Sequence, residues 1–288
     1  MSAARGSGGA TVVACCQLHL RVGDIAGNRA GADTALERAA ASGATVVVLP
    51  ELATSGYSFT DAMEAASLAE PVPGPSTTHW TTKAADLGVT IVGGVCEDGG
   101  EGRLFNTAVV VDQDGVRAAY RKVHLWDREK LVFTPGNQPP PVVDVGGHRL
   151  SVMVCYDVEF PEWVRLPALY GAELLCLPAN WPRFPRPEGE RPMEVVRVQA
   201  SASVNRMFIA ACDRVGHERG NDWVGGSVIV DADGWPLAGG AGSPDAQVLV
   251  AECRLGQARE KAISAHNDVH ADRRPELYAA DILEEGAR

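Results

Sequence analysis

Three side chains able to take part in nucleophilic catalysis stand directly after apolar runs of the chain. Cys155 follows residues 151–154, Glu51 follows residues 46–50, and Lys122 lies just past the second strand of a predicted hairpin. The ends of buried strands are where an α/β fold displays reactive groups. A thiol, a carboxylate and an ammonium brought together there would supply a nucleophile, a general base and a stabiliser of negative charge on a substrate oxygen.

Each of these residues also has a structural interpretation when it is taken alone. Cys155 could be a buried structural thiol, and Glu51 and Lys122 could be ordinary polar residues turned to water. Glu129 could pair with Lys122 and orient its ammonium, or lie on a solvated face. The catalytic hypothesis is favoured because burial at a strand end raises the pKa of a carboxylate toward the range of a general base. A nearby ammonium, in turn, lowers the pKa of a thiol.

The sequence around these residues predicts an α/β protein with a mixed sheet. β-Branched and apolar runs alternate with amphipathic helices, and two hairpins add antiparallel strands. No linker in the sequence is strong enough to divide it into two domains. The predicted buried strands lie at residues 11–20, 44–49, 89–95, 151–154, 173–177, 207–212 and 247–253.

Helix boundaries are predicted from residues that cap helices or break them. Asn28 is the expected N-cap of the first helix, and Ser76 is the expected N-cap of a later one. Pro161 suits the first turn of a helix after Cys155, because a missing N–H leaves no hydrogen bond unmade there. Residues 182–192 are proline-rich and are predicted to form a loop.

The composition argues against several classes of protein. Hydrophobic residues make up 45% of the chain and charged residues 22%, which is ordinary for a soluble globular enzyme. A net charge of −11 argues against a nucleic-acid or anionic-membrane partner, and no apolar run has membrane-spanning length. Seven cysteines without a CxxC pair indicate a reducing environment. Because the N-terminal apolar run is too short for a signal peptide, a cytoplasmic location is expected.

Metal sites and other catalytic motifs find little support in the sequence. His266 and His270 have the spacing of zinc ligands on a helix, but Asn267 stands where a metalloprotease has glutamate, so a structural role is preferred. Neither a GxSxG nor a GxxxxGK[ST] motif occurs in the sequence, which argues against a serine hydrolase and a P-loop protein. No metal site is therefore predicted.

In sequence order, the motifs resemble those of the nitrilase superfamily of carbon–nitrogen hydrolases. Any one motif is weak, but the ordered series is specific, and it runs from about Val12 to Tyr278. The matching residues are Leu49, Pro50 and Glu51; Gly56 and Tyr57; 120–125; Glu129; 133–136; 154–157; 160–162; 178–181; Asn205 and Arg206; Gly226 and Ser227; and 272–278.

This resemblance implies a four-layer α-β-β-α sandwich that forms a homodimer or a higher homo-oligomer. The hydrolase domain is expected at residues 11–260 and a C-terminal tail at residues 261–288, whereas residues 1–10 are predicted to be a flexible N-terminal tail because they are rich in Gly, Ser and Ala. The C-terminal tail is expected to lie at the dimer interface.

The resemblance also implies a role for each reactive residue. Glu51 is the expected base, Lys122 the oxyanion lysine, Cys155 the nucleophile and Glu129 a second, positioning glutamate. Glu51 would take the thiol proton and the thiolate would attack an amide carbonyl, with the oxyanion held by Lys122 and the backbone N–H of Tyr156. Water would then hydrolyse the thioester, and no metal or organic cofactor is required.

The expected substrate is a small aliphatic or neutral carboxamide, hydrolysed to ammonia and a carboxylic acid. Relatives that act on N-carbamoyl amino acids place an arginine soon after the cysteine. Val158 and Glu159 stand there in this chain, which argues against an acidic substrate. Glu159 could attract a cationic amine, but a solvated turn residue is the preferred interpretation. The expected substrate-binding residues are Tyr57, Trp126, Tyr156, Asn180 and Trp181.

Other functions stay open at this point. The chain could hydrolyse N-carbamoyl amines, in the manner of carbamoylputrescine amidases, or it could be a nitrilase. In a different class, it could be a non-catalytic binding member of the same fold. The presence of Glu51, Lys122, Glu129 and Cys155 together argues against that last alternative.

Overall fold

A computed structural model describes residues 10–282 of the 288-residue chain, and it describes side chains as far as Tyr278. The predicted tail at residues 1–10 therefore lies outside the described residues except for Ala10. No described helix is long and apolar enough to cross a membrane.

The described strands are numbered in chain order. They are β1 (Thr11–His19), β2 (Val46–Val48), β3 (Thr90–Asp98), β4 (Leu104–Asp112), β5 (Gly115–Arg121), β6 (Val142–Val145), β7 (His148–Val152), β8 (Leu174–Pro178), β9 (Phe208–Cys212), β10 (Arg214–Val215), β11 (His217–Glu218), β12 (Asn221–Asp222), β13 (Val228–Val230), β14 (Pro236–Gly239) and β15 (Gln247–Cys253).

Six α-helices and three 3₁₀ turns complete the described elements. The helices are α1 (Ile25–Ala41), α2 (Ala62–Leu68), α3 (Pro75–Leu87), α4 (Pro161–Leu169), α5 (Met193–Asn205) and α6 (Pro275–Ile282). The 3₁₀ turns are Asp127–Leu131, Cys155–Glu159 and Leu255–Arg259.

Two mixed sheets form the centre of the molecule. The first has seven strands in the order β10-β1-β2-β3-β4-β5, with β15 paired antiparallel to β1. The second has six strands in the order β14-β13-β9-β8-β7-β6, and its central strands β7, β8 and β9 are parallel. Strands β11 and β12 form a separate small ribbon.

Side-chain alternation along the strands divides the core into layers. Val46 and Val48 on β2 belong to the core between the sheets, together with Val152 and Phe208 of the second sheet. Val47, whose side chain points to the opposite face, packs in a different cluster with residues of α1 and α3. Helices α4 and α5 contact each other, and their buried faces pack on the second sheet. The predicted four-layer α-β-β-α sandwich is thereby confirmed.

The predicted helix caps at Asn28 and Ser76 are both wrong. Helix α1 is capped by Asp24, whose side chain accepts from Gly27 N at 2.9 Å, and α3 begins with Pro75 at its first turn after Gly74. Asn28 lies inside α1, where its side chain exchanges two hydrogen bonds with the backbone of Arg21, both at 2.8 Å. It also donates to the Thr54 carbonyl at 3.0 Å. A polar side chain that ties two segments together can therefore resemble a helix cap in sequence.

This arrangement predicts that Asn28→Ala destabilises the protein more than Asp24→Ala. Loss of an exposed cap costs about 1 kcal/mol. Asn28→Ala leaves buried backbone groups of two segments unpaired, so we expect a loss of about 3 kcal/mol. Urea unfolding followed by circular dichroism measures both values. Equal losses for the two variants would contradict the tertiary role of Asn28.

Candidate active site

The turn after β2 carries Glu51 and packs directly on the backbone of β3. Gly94 of β3 donates to Pro50 O at 3.1 Å and accepts from Ala53 N at 2.8 Å. A Cβ at Gly94 would lie 2.3 Å from Leu52 N, so only glycine permits this approach. Glu51 is thereby held between the two sheets with no exposed surface.

A buried cluster of charges forms around Lys122. Its Nζ lies 2.7 Å from Glu51 Oε1 and 2.8 Å from Glu129 Oε1, and neither Lys122 nor Glu51 has an exposed side-chain atom. Lys122 directly follows β5, whereas Glu129 lies in the 3₁₀ turn Asp127–Leu131. Because two carboxylates share one ammonium, the cluster as a whole is able to carry a negative charge and to accept a proton.

Further hydrogen bonds hold the two carboxylates in place. Asn106 Nδ2 donates to Glu51 Oε1 at 2.7 Å. The Tyr57 hydroxyl donates to Glu129 Oε1 at 2.7 Å, and Trp126 N donates to Glu129 Oε2 at 2.9 Å. Donors to a carboxylate fix its orientation, so Lys122 is held by groups that cannot easily turn away.

Cys155 begins the 3₁₀ turn that follows β7. Its φ is +47°, a left-handed conformation that a residue with a Cβ rarely adopts. Strain of this kind is characteristic of functional sites, where the surrounding structure maintains it. The turn presents the thiol to a cavity, and Sγ lies 3.8 Å from the carbonyl oxygen of Asn180, toward which it donates.

Hydrogen bonds to Asp157 stabilise this strained turn. Its buried carboxylate accepts hydrogen bonds from the Tyr120 hydroxyl at 2.9 Å, from His124 N at 3.0 Å and from Val154 N at 3.2 Å. His124 Nδ1 lies 2.7 Å from the same carboxylate. Tyr120 and His124 flank Lys122 in sequence, so Asp157 joins the segment of the lysine to the turn of the cysteine.

Asn180 connects the thiol to Glu51. Its carbonyl accepts from Cys155 Sγ, and its Nδ2 donates to the Glu51 carbonyl at 2.9 Å. Because a carbonyl can only accept, this bond fixes the side-chain amide with Oδ1 facing away. Among the described residues, Asn180 Oδ1 and Glu51 Oε2 are both buried and have no hydrogen-bond partner. Asn180 also lines the cavity of Cys155, so its Oδ1 is available to an N–H or O–H group of a ligand.

Burial and neighbouring charges set the protonation of the cluster. Desolvation raises the pKa of Glu51 to about 7, with Lys122 opposing the rise and Glu129 adding to it. Burial also raises the pKa of the Cys155 thiol well above its usual range, Glu51 adds to this, and Lys122 opposes it. Burial alone lowers the pKa of Lys122, but the carboxylates of Glu129 and Glu51 outweigh it and raise that pKa. At neutral pH the sulfur therefore keeps its proton, the lysine is charged and Glu51 can accept a proton.

Two neighbouring cavities that share lining residues lie beside this cluster. The first, of about 100 Å³, is lined by Cys155 together with four predicted substrate-binding residues, Trp126, Tyr156, Asn180 and Trp181. The second, of about 420 Å³, is lined by Tyr57, Glu129 and Trp223, and it shares Trp126 and Pro182 with the first. Tyr57 therefore lies on the neighbouring cavity rather than on that of Cys155, and its hydroxyl is bound to Glu129.

The structure brings Glu51, Lys122 and Glu129 into one hydrogen-bonded cluster, and Asn180 joins Cys155 to Glu51. Sequence reasoning missed Asn106, which lies on β4 with no motif around it. It also missed the position of Glu159. This residue was interpreted as a solvated turn residue, yet it lines the cavity of Cys155 with its side chain 27% exposed. His266 and His270 lie in turns after Leu255–Arg259, not on a helix.

Comparisons with known proteins identify the family of this chain. The sequence model of the family described as carbon-nitrogen hydrolase matches residues 12–262. The chain is 38% identical to a protein named nitrilase from Pyrococcus abyssi over 269 residues, which is 92% of this chain and 98% of that protein. It is 31% identical to a 2-oxoglutaramate amidase from Bacillus subtilis, over 90% of this chain and 98% of the relative.

Solved structures show the same similarity in three dimensions. An amidase from Nesterenkonia sp. superposes with a TM-score of 0.75 at 31% identity, over 93% of this chain and 95% of the amidase. A mutant of the amidase from Nesterenkonia sp. AN1, with the acetamide moiety of fluoroacetamide covalently added at its active-site cysteine, has a TM-score of 0.77 at 30% identity, covering 96% and 99%. With this agreement in sequence and fold, the chain belongs to the carbon-nitrogen hydrolase family of the nitrilase superfamily.

Proposed function

We propose that this protein hydrolyses small aliphatic carboxamides through a thioester on Cys155, releasing ammonia and a carboxylic acid. The observation that carries the proposal is the buried Glu51–Lys122–Glu129 cluster, joined to Cys155 through Asn180. A thiol, a base and a fixed positive charge, here joined through one hydrogen-bonded network, are the groups that acyl transfer requires.

Glu51 is the proposed general base. Its Oε2 has no hydrogen-bond partner in the described part of the chain, and its raised pKa of about 7 suits a group that must both take and return a proton near neutrality. As the Cys155 sulfur attacks the carbonyl carbon, Glu51 receives the thiol proton. Glu51 then gives that proton to the leaving nitrogen, and later takes one from the water that cleaves the thioester.

Lys122 and the backbone N–H of Tyr156 are the proposed donors to the tetrahedral oxyanion. The two carboxylates hold the ammonium in position before the substrate arrives, so little reorganisation is needed as negative charge develops. One preorganised donor of this kind is worth about 3–4 kcal/mol of barrier. Glu129 acts in this proposal as a positioning residue for Lys122.

The size of the cavity supports a small substrate. About 100 Å³ of space between Trp126, Trp181 and Cys155 accommodates a short carboxamide more readily than a bulky one. The unpartnered Asn180 Oδ1 is placed to accept an N–H of the amide. Relatives named 2-oxoglutaramate amidase and N-carbamoylputrescine amidase act on different amides, so a substrate panel must include carbamoyl amines and nitriles.

A homodimer and a cytoplasmic location are part of the proposal. Helix α4, the residue that directly follows it and helix α5 carry apolar residues that are between 37% and 50% exposed, namely Leu169, Tyr170, Val196 and Val204. Burying such side chains against a second copy would stabilise a dimer. All seven cysteines are free and buried, as suits a reducing compartment.

Cys155→Ala is expected to abolish ammonia release from aliphatic amides, with a loss of kcat/KM of at least about 10⁴-fold. The reason is that Cys155 is the only thiol among the described residues that line its cavity, and the proposed acyl intermediate is a thioester. Cys253→Ala, on β15 and outside both cavities, is the matched control and should retain activity. Mass spectrometry of the wild type with fluoroacetamide should find an adduct on Cys155. Equal ammonia release by the wild type and Cys155→Ala would remove the proposal.

The pH profile tests the role of Glu51. The base works only when it is deprotonated, so with a pKa of about 7 kcat/KM should fall about tenfold between pH 8 and pH 6. Asn106 donates to Glu51 and lowers its pKa. Asn106→Leu should therefore move the acid limb to higher pH, whereas the exposed Asn137→Leu should not. An unshifted limb in Asn106→Leu would argue against Glu51 as the titrating base.

Truncation after Ala262 is expected to convert the dimer to a monomer, because the C-terminal tail is proposed to pack at the interface. Val204→Glu, which places a charge on the apolar face of α5, should have the same effect. Met63→Glu on α2, at a side chain 83% exposed, is the control. Size-exclusion chromatography with light scattering measures the mass, and a stable dimer of the truncated chain would contradict the proposed interface.

A further inference from the structure

We infer that the cavity of Cys155 prefers a carboxamide carrying a positively charged group at its far end, recognised by Glu159 with Glu194 beside it. The inference rests on the proposed function and adds the charge of the part of the substrate that does not react.

The charged side chains around this cavity do not balance. Within the described part of the chain, its charged lining residues are Glu159, Glu194 and Arg197. Arg197 Nη1 lies 3.1 Å from Glu159 Oε1 but 3.9 Å from Glu194 Oε1, which is beyond hydrogen-bond distance. Two carboxylates thus face one guanidinium, and the lining has an excess of one negative charge.

The two carboxylates are withdrawn from water more than the cation is. Their side chains are 27% and 14% exposed, against 37% for Arg197. Burial raises the pKa of Glu159, Arg197 opposes this, and Glu194 adds to it. A partly desolvated carboxylate that also faces a like charge gains more from an incoming cation than a solvated one would.

An anionic substrate would meet the opposite situation. A substrate carboxylate that reached the remaining N–H groups of Arg197 would share the guanidinium with Glu159 and would lie close to two like charges, Glu159 and Glu194. A substrate with a neutral end would leave the negative charge of the cavity lining uncompensated. The order of preference that follows is cation, then neutral group, then anion.

The position of Glu159 sets the length of the substrate. It lies four residues after Cys155 on the same 3₁₀ turn, and a rise of about 2 Å per residue separates the two backbone positions by about 8 Å along the turn. A fully extended chain of five bonds spans about 6 Å, and the hydrogen bond from its ammonium adds about 3 Å. An ammonium joined to the carbonyl carbon through four methylene groups is therefore a suitable probe.

The remaining walls suit a substrate with two polar ends and an apolar middle. Trp126, Trp181 and Phe184 supply apolar surface between the thiol and the acidic end, and aromatic faces also attract cations. At the thiol end, the buried Asn180 Oδ1 has no partner and can accept from the carboxamide.

The test compares ammonia release from three amides with the same four-methylene linker. They are 5-aminopentanamide, hexanamide and adipamic acid, which place an ammonium, a methyl and a carboxylate at the same distance from the amide. The wild type should show a kcat/KM for 5-aminopentanamide about tenfold above that for hexanamide, as expected of one charge-assisted hydrogen bond, with adipamic acid the poorest.

The variants locate this preference. In Glu159→Gln the ratio of the two kcat/KM values should fall to about two or less, because the amide keeps the shape of the side chain without its charge. Glu190→Gln removes the same charge from the exposed loop before α5 and should leave the ratio unchanged. In the wild type, raising the ionic strength should lower the ratio, because the pair is partly exposed; this measurement does not depend on the folding of a variant.

The outcomes separate this inference from the proposed function. Hydrolysis of hexanamide as fast as 5-aminopentanamide, or a ratio retained in Glu159→Gln, would overturn the charge preference while leaving the thiol amidase intact. No Cys155-dependent ammonia release from any of the three amides, and no fluoroacetamide adduct, would instead count against the amidase itself.

Discussion

The structure depends on a lysine ammonium kept wholly out of water between two carboxylates. An isolated charge at that depth is strongly unfavourable, and removing one partner of a buried pair typically costs about 3–5 kcal/mol. Lys122 therefore requires Glu51 and Glu129, and each carboxylate requires the lysine. Burial raises the pKa of Glu51 into the working range of a base, Lys122 opposes this rise, and Glu129, which shares the same ammonium, adds to it.

The two sheets contribute different parts of this arrangement. The first sheet delivers Glu51 and Lys122 from the ends of β2 and β5, and the second delivers Cys155 from the end of β7. Contacts between the two sheets fix the relative positions of these three residues. Asn180 binds both the thiol and the Glu51 backbone. Asp157 joins the turn of Cys155 to Tyr120 and His124. The left-handed backbone at Cys155 is maintained by contacts on both sides of the turn, from Asn180 and from Asp157.

The same geometry places Glu159 in the lining of the Cys155 cavity, which its position in the sequence does not indicate. A short 3₁₀ turn places it on the cavity wall that contains Cys155, and the first turns of α5 bring Glu194 and Arg197 against it. The charge of this cavity wall is thus set by two segments more than thirty residues apart in the sequence.

The sequence alone determined the α/β class, most strands, the hairpins, and the placement of Glu51, Lys122 and Cys155 after apolar runs. These are local properties, since strand ends and turns follow from short-range patterns. Only the tertiary structure decided that Asn28 ties two segments rather than capping a helix, that Asn106 binds Glu51, that Tyr57 lies on the neighbouring cavity, and that Glu159 is half-buried. Each of these depends on a partner far away in sequence, and side-chain burial and hydrogen-bond partners are set by the packing of the two sheets.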